Sequence, residues 1–382
     1  MQKTNILQLI SFLAGTGKTT LTQLILKKIR SKNEIAVATA TSGIASTLLT
    51  GGRTVHTKVK VPIQLEFGVS KCAIRENSPV AEMIRRMKFM VIDEVTMGDK
   101  ALFDTIDRTF KEIRGNREPF GGIVMLFSGD WRQCLPVVQG ANRPVIVSHT
   151  LKRHDDIWPK VHVRHLSENM RIKNAGEDDK KYAKFLLDIG EGKIGDLIDQ
   201  KNSVYNVPIP DEMKSQRTNI QEFCNDIFPD IRNMHKTYFP RSECSNDWSE
   251  YLMQRTIICS TNSDVEEINH IMIAKLEGQL WVYRSADKVL NEKEEVQFPK
   301  EFLNKCQASG MPPHVLELRE GAPIMLIRNL DPRNGHVNGA RYFVLKLSKK
   351  VIHARLATGP NKGNDKHVNV KYFLSMMRLI HN

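Results

Sequence analysis

The stretch Leu13-Ala14-Gly15-Thr16-Gly17-Lys18-Thr19-Thr20 constrains the fold of this chain more than any other. An apolar run, residues 6–12, leads into it, and the helical pattern Leu21-Thr22-Gln23-Leu24-Ile25-Leu26 follows. Strand, glycine-rich turn and helix in that order are the setting of a phosphate-binding loop. Small residues let successive backbone N–H groups curl around an anion, and the helix N-terminus behind them adds partial positive charge. In such a loop Gly15, Thr16, Gly17, Lys18, Thr19 and Thr20 would hold the phosphates of ATP. Lys18 would reach the β- and γ-phosphates, and the Thr19 hydroxyl would sit on Mg²⁺. One position departs from the pattern, because Phe12 stands where the first glycine is expected. An ordinary glycine-rich strand–helix turn shares this composition, so residues further along must decide between the two.

A second apolar run, Phe89-Met90-Val91-Ile92, ends in Asp93-Glu94. There Asp93 would hold Mg²⁺, and Glu94 would accept a proton from the water attacking the γ-phosphate. A further run, residues 123–127, leads to Ser128-Gly129-Asp130 and then to Gln133. Lys18, Asp93 and Gln133 each follow a short apolar strand, at separations that fit strands of one sheet. With Ile35-Ala36-Val37-Ala38-Thr39-Ala40 as a fourth strand, the pattern indicates a parallel α/β sheet with its ligand at the strands' carboxyl ends. Together these positions favour ATP hydrolysis over a surface Asp-Glu pair.

At ~150 residues per domain, a chain of 382 residues suggests two to three domains. The first is expected over residues 1–165. A polar linker and insert covers 166–254, with one helical block at residues 182–189. A second core over 255–382 opens on a strand at Arg255-Thr256-Ile257-Ile258-Cys259-Ser260, followed by a helix over residues 265–276. Within it, runs at 321–330 and 342–356, with a turn signal at Asn338-Gly339, mark a small β-rich insert at about 310–360. No apolar run reaches the ~18–20 residues of a membrane helix, and the first residues do not pattern as a signal peptide. The six cysteines are scattered without a C-x-x-C pair, which favours reduced thiols over a zinc site. Net charge is +13, and from Arg328 to the last residue eleven Lys/Arg face two acids. Such a balance raises the expectation of a polyanionic partner.

The segment Gly129-Asp130-Trp131-Arg132-Gln133-Cys134-Leu135-Pro136-Val137 is more specific than the phosphate loop. Taken with residues 91–97, it resembles the PIF-type DNA helicases of superfamily one, nearest the branch found in Helitron transposons. The resemblance extends to residues 40–56, to Pro119-Phe120-Gly121-Gly122 and to Leu166-Ser167-Glu168-Asn169-Met170-Arg171. It continues through Ser260-Thr261-Asn262, Glu267-Ile268-Asn269, residues 310–314 and 321–330, and Asn338-Gly339-Ala340-Arg341.

This resemblance implies two RecA-like P-loop domains with parallel sheets, the second incomplete, and the β-rich insert. It implies ATP-dependent 5′-to-3′ translocation on single-stranded DNA and unwinding at duplex junctions. DNA repair, recombination, telomere maintenance or Helitron transposition would follow, in the nucleus. Gln133 would sense the γ-phosphate, and Arg171 would be an arginine finger, a device worth ~10³–10⁵ in rate. Thr41, Ser42, Thr54 and His56 would line the strand track on the first domain, and Thr261 and Asn262 on the second. Hydroxyls and amides suit such a track because they bond phosphates without reading bases. Against the family pattern, the adenine-clasping glutamine segment is expected to be absent upstream, and the last strands with a second arginine finger downstream. The competing expectation is therefore a nucleotide- and DNA-binding remnant without unwinding activity.

Overall fold

A computed structural model describes residues 7–12, 15–199, 204–239, 246–259, 261–285, 304, 314–327, 329–331, 334–359, 362–363, 365–369 and 377–379. The chain divides into two compact units, Met1–Pro210 and Asp211–Asn382.

In the first unit, strands and helices alternate along the sequence. They are β1 (Leu7–Phe12), α1 (Lys18–Arg30), β2 (Ile35–Ala40), α2 (Gly43–Thr47), β3 (Arg53–Thr54), α3 (Val55–Val59), α4 (Pro79–Arg86), β4 (Met87–Asp93), α5 (Lys100–Arg114), β5 (Val124–Gly129), α6 (Arg143–Ser148) and β6 (His162–Leu166). The six strands form one sheet in the order β3-β2-β4-β5-β1-β6, and every neighbouring pair is parallel. The apolar runs become central strands because both of their faces are covered. Ala36, Ala38, Phe89, Val91 and Leu126 pack with Leu26 of α1. The alternate residues Val37, Met90, Ile92, Met125 and Phe127 pack with Phe103, Ile106 and Phe110 of α5. Period-two alternation thus sorts one apolar run into two cores. Helix α5 starts where the Asp99 side chain accepts from the Ala101 N–H, and it stops at Gly115 in the left-handed region. In this strand order the carboxyl ends of β1, β5 and β4 lie side by side, with Ser11 paired to Gly129 and Asp93 to Ser128. The loops after these strands therefore share one edge.

Beyond the sheet come α7 (Glu177–Gly190) and a two-stranded hairpin of β7 (Asp196–Asp199) and β8 (Val204–Asn206). None of the residues of α7 is buried. Tyr182 and Leu186, one turn apart, are half exposed, as are Leu197 and Tyr205 of the hairpin. The boundary between the two compact units falls after Pro210, within the stretch 166–254.

The second unit begins with helices α8 (Ile220–Ile227), α9 (Ile231–Tyr238), α10 (Asn246–Met253) and α11 (Asn262–Lys275). Seven strands follow among the described residues: β9 (Trp281–Arg284), β10 (Val315–Leu318), β11 (Pro323–Leu326), β12 (Arg341–Leu347), β13 (Val351–Leu356), β14 (Asp365–Asn369) and β15 (Met377–Leu379). Strands β9 and β10 pair with each other, and the rest form a sheet ordered β14-β13-β12-β11-β15. All described pairings here are antiparallel. This is the β-rich module that the runs after Gly321 suggest. Its core is centred on Trp248, Tyr342 and Leu318, and the Trp248 indole N–H donates to the Gly321 carbonyl at 3.0 Å.

One expected strand does not form. Residues 255–259 are not in a strand: Ile257 is buried while Ile258 is 81% exposed. No described strand runs alongside to supply a ladder, so only the side-chain alternation of a strand survives. Leu13 and Ala14 of the phosphate loop, Ser260 and residues 310–313 lie outside the described residues.

Replacing Phe103 by Ala should destabilise the first unit by about 3–5 kcal/mol, because its ring is fully buried against Phe127 and leaves a cavity. Urea unfolding of wild type and variant measures this, and a loss under about 1 kcal/mol would contradict the packing.

Candidate functional site

The phosphate loop leaves the carboxyl end of β1 and runs directly into α1. Gly15 and Gly17 have φ of +85° and +84°, a region that residues with a Cβ rarely occupy. Gly17 is the N-cap of α1 and supplies no side chain to its first N–H groups, and no acid lies in the first turn. Those donors, with the dipole behind them, form an anion cradle. Thr16 is buried, Thr19 is half buried on the first turn and Thr20 faces solvent.

Lys18 turns inward toward the end of β4. Its ammonium lies 3.0 Å from Asp93 Oδ1 and 2.5 Å from Glu94 Oε1. Asp93 is buried, and its Oδ1 also accepts from the Glu94 N–H at 2.9 Å and from the Ser128 hydroxyl of β5. Glu94 sits in the left-handed region at φ 55°, ψ 43°, a costly conformation for a residue with a Cβ. That turn is what brings its carboxylate back to Lys18 rather than letting it follow the strand outward. No cluster of three or more His, Cys, Asp or Glu side chains capable of holding a metal exists among the described residues. A lone buried carboxylate beside a phosphate cradle and a first-turn threonine is nevertheless the donor set that suits Mg²⁺, which keeps waters and phosphate oxygens as its other ligands.

After β5, the buried Asp130 organises the next turn. Its carboxylate accepts from the Arg132 N–H at 3.1 Å and from Gln133 Nε2 at 3.3 Å. Trp131 packs against the core edge-to-face with Trp158, and Lys152 lies 4.5 Å over its ring. The Arg132 guanidinium reaches Glu191 at 2.6 Å. The segment after β6 then folds over the loop. The Met170 N–H donates to the Gly15 carbonyl at 3.0 Å, and Asn169 Oδ1 accepts from the Arg171 N–H at 3.1 Å. A Cβ on Gly15 would collide with Asn169 Oδ1 and the Arg171 side chain, so Arg171 lies against the loop within the first unit. The structure thus brings Lys18, Asp93 and Glu94 into contact and sets Gln133 and Arg171 on loops of the same sheet edge.

The polar residues expected to meet DNA have local partners as well. The Ser42 hydroxyl caps α2 by accepting from the Ala45 N–H at 3.2 Å, and Thr54 caps α3 by accepting from the Thr57 N–H at 3.4 Å. Thr261 does the same for α11, accepting from Asp264, and Asn262 is the first residue of that helix. Thr41 reaches the carboxylate loop, its hydroxyl donating to the Glu94 carbonyl at 2.8 Å. His56 is half buried on α3, and burial pushes its pKa below the usual imidazole value. Burial thus favours its neutral form. Lys58, beside it, is also pushed down by burial and then by Arg53 and Arg30.

A parallel sheet carrying a phosphate loop, a strand-end Asp-Glu pair and a following Gln turn on one edge defines a RecA-like P-loop domain. The comparisons with known proteins narrow that class. The description PIF1-like helicase matches residues 2–200, just over half of the 382-residue chain, and the description DNA helicase Pif1, 2B domain, matches residues 301–347. The chain belongs to the PIF1-like helicase family. It is 28% identical over 329 residues to the ATP-dependent DNA helicase PIF1 of Emericella nidulans, covering 83% of this chain and 36% of that one. It is 25% identical over 396 residues to the ATP-dependent DNA helicase PIF7 of Trypanosoma brucei brucei, covering 96% and 34%. The chain thus spans about a third of the length of these curated relatives. Among solved structures, Pif1 helicase from Candida albicans aligns with TM-score 0.59 at 22% identity, covering 96% of this chain and 75% of that one. Bacteroides Pif1 in complex with ADP-AlF3 and single-stranded DNA aligns with TM-score 0.60 at 20% identity, covering 96% and 71%. These two establish the shared fold.

Asn169 and Ser128 acquire contacts that spacing alone does not assign to them. The signal for Asn169 is the missing Cβ at Gly15, legible only once β6 is known to lie beside β1. Gly15→Ala should lower nucleotide affinity at least about ten-fold, by clash and by a left-handed backbone that alanine resists. Fluorescent-nucleotide titration measures it, and wild-type affinity in the variant would show that the Asn169 segment yields freely.

Proposed function

We propose that this protein is an ATP-dependent DNA helicase that moves 5′-to-3′ along single-stranded DNA and opens duplex junctions. The observation that carries the reading is the Lys18–Asp93–Glu94 cluster at the foot of an uncapped helix, in a chain of this family. The residues take the following parts. The N–H groups of Gly15 to Thr20 and the Lys18 ammonium bind the triphosphate. Thr19 and Asp93 would hold Mg²⁺, whose charge would offset that of the phosphates. Glu94 accepts the proton of the attacking water once Lys18 has turned to the phosphates. Gln133, held by Asp130, reports the γ-phosphate, and Arg171 offsets charge on the transferring group. The strand passes over Ser42, Thr54 and His56, with Thr41 at the inner margin, and over Thr261 and Asn262 on the second unit. Ser42, Thr54, His56, Thr261 and Asn262 all sit at helix N-caps or first turns, where backbone N–H groups add to the side chains as phosphate donors. A helicase acting on chromosomal DNA would work in the nucleus.

Lys18→Ala should abolish nucleotide binding and hydrolysis together. Glu94→Gln should keep binding and lose ~10²–10⁴ of the rate in a steady-state ATPase assay with single-stranded DNA. An unchanged rate in Glu94→Gln would remove that carboxylate from the role. DNA affinity should fall steeply with salt, as expected for a chain of net charge +13 that displaces counterions. His56→Asn should weaken binding without changing the salt slope, because the depressed pKa keeps the imidazole uncharged above the usual histidine range and only acidification below it adds a proton. A shallower slope in the variant at pH 7 would show a charged His56.

A further inference from the structure

At the carboxyl edge of the first sheet, Thr41 makes two bonds that bracket one residue. Its N–H donates to the Asp93 carbonyl at 3.0 Å, which extends the β2–β4 ladder by one step. Its hydroxyl donates to the Glu94 carbonyl at 2.8 Å, outside any ladder. The peptide groups on both sides of the Glu94 Cα are thereby fixed by a single residue. Glu94 is the position that needs fixing, since it is held at φ 55°, a region disfavoured for a residue with a Cβ. Strain of this kind persists only where the surroundings enforce it. Moving Glu94 toward the ordinary helical or extended regions would rotate its carbonyl away from the Thr41 hydroxyl. On its other side Thr41 is joined to Ser42, whose hydroxyl starts α2, and α2 exposes Ile44 and, beyond its end, Leu48. Thr41 therefore stands one peptide from a helix cap of the strand track and one hydrogen bond from the Glu94 backbone.

We infer that Thr41 is a positioning residue whose hydroxyl holds the Glu94 backbone in its left-handed turn and carries movement of the α2 cap, when DNA lies on it, to that carboxylate. This rests on the helicase reading above. It differs from a plain DNA contact, because the hydroxyl proton is committed to Glu94 and cannot also be given to a phosphate.

The experiment uses the full chain with Thr41→Val, which keeps the branched shape without a donor, and Thr41→Ser, which keeps the donor. Oligothymidylate affinity, DNA-stimulated ATPase and amide hydrogen exchange over Asp93–Gly98 are measured for each. In Thr41→Val, kcat with saturating DNA should fall about ten-fold while DNA affinity and the KM for ATP move less than about twofold, the split expected when a reacting group is misplaced and the grip on both ligands is intact. The Met97 and Gly98 amides, which donate to Glu94 and Val95, should exchange roughly five-fold faster for want of one hydrogen bond. Their response to added oligothymidylate should disappear. Thr41→Ser should restore all three. Weakened DNA affinity with kcat preserved at saturation would make Thr41 a strand contact alone and overturn the inference, as would unchanged exchange over Asp93–Gly98. A wild-type chain that binds DNA without hydrolysing ATP would remove the helicase reading, and the exchange data would still decide the position of Thr41.

Discussion

The Lys18 ammonium between the Asp93 and Glu94 carboxylates is the interaction on which the chemistry proposed for the first unit depends. The three groups carry one positive and two negative charges at a sheet edge, with Asp93 buried. The two carboxylates compete with a triphosphate for the Lys18 ammonium. When it turns to phosphate, Asp93 is left as a buried anion facing further negative charge, which is tolerable only with another cation at hand. In the proposed cycle, metal and nucleotide are therefore accepted together, and a chelated nucleotide is the natural ligand of the pocket. In the same cycle Glu94 would be released by that turn, freeing the proposed base when there is something to hydrolyse.

How much of this is legible in the sequence follows from what each residue has to satisfy. The central strands can be read because burial on both faces demands continuous apolar runs, as in Phe89 to Ile92. β6 at the sheet edge, with the sequence His-Val-Arg-His-Leu, carries no such demand and leaves no comparable mark. The two-residue β3 is too short to leave one. Arg255 to Ser260 misleads in the opposite direction. Its apolar run meets one side of a core through Ile257, but a strand also needs a neighbouring backbone, and no residue pattern within the segment records whether one is present.

The candidate site shows the same limit at finer scale. The positions of Lys18, Asp93 and Gln133 after successive strands can be read, because parallel topology forces strand-end loops together. The contacts between side chains cannot. The hydroxyls of Ser42, Thr54 and Thr261, expected as phosphate ligands, also serve as helix caps, a role that any serine or threonine before a helix can fill. The family resemblance implies an Arg171 finger at the nucleotide, and the structure adds that its stem lies against Gly15, where the absence of a side chain makes room for it. Sequence spacing conveys which loop a residue is on. The direction of its side chain is set by neighbours brought in from β6 and β5, far away in the chain.

Helix α7 presents a different kind of consequence. A helix packed on a domain ordinarily hides one stripe, yet every residue of α7 has access to water, and Tyr182 and Leu186 share their exposure with Leu197, Ile198 and Tyr205 nearby in sequence. Oily side chains left in contact with solvent are a cohesive surface. Such exposure favours self-association through this region as concentration rises. A pair of charges introduced on α7 would break up that apolar exposure without touching the buried sheet.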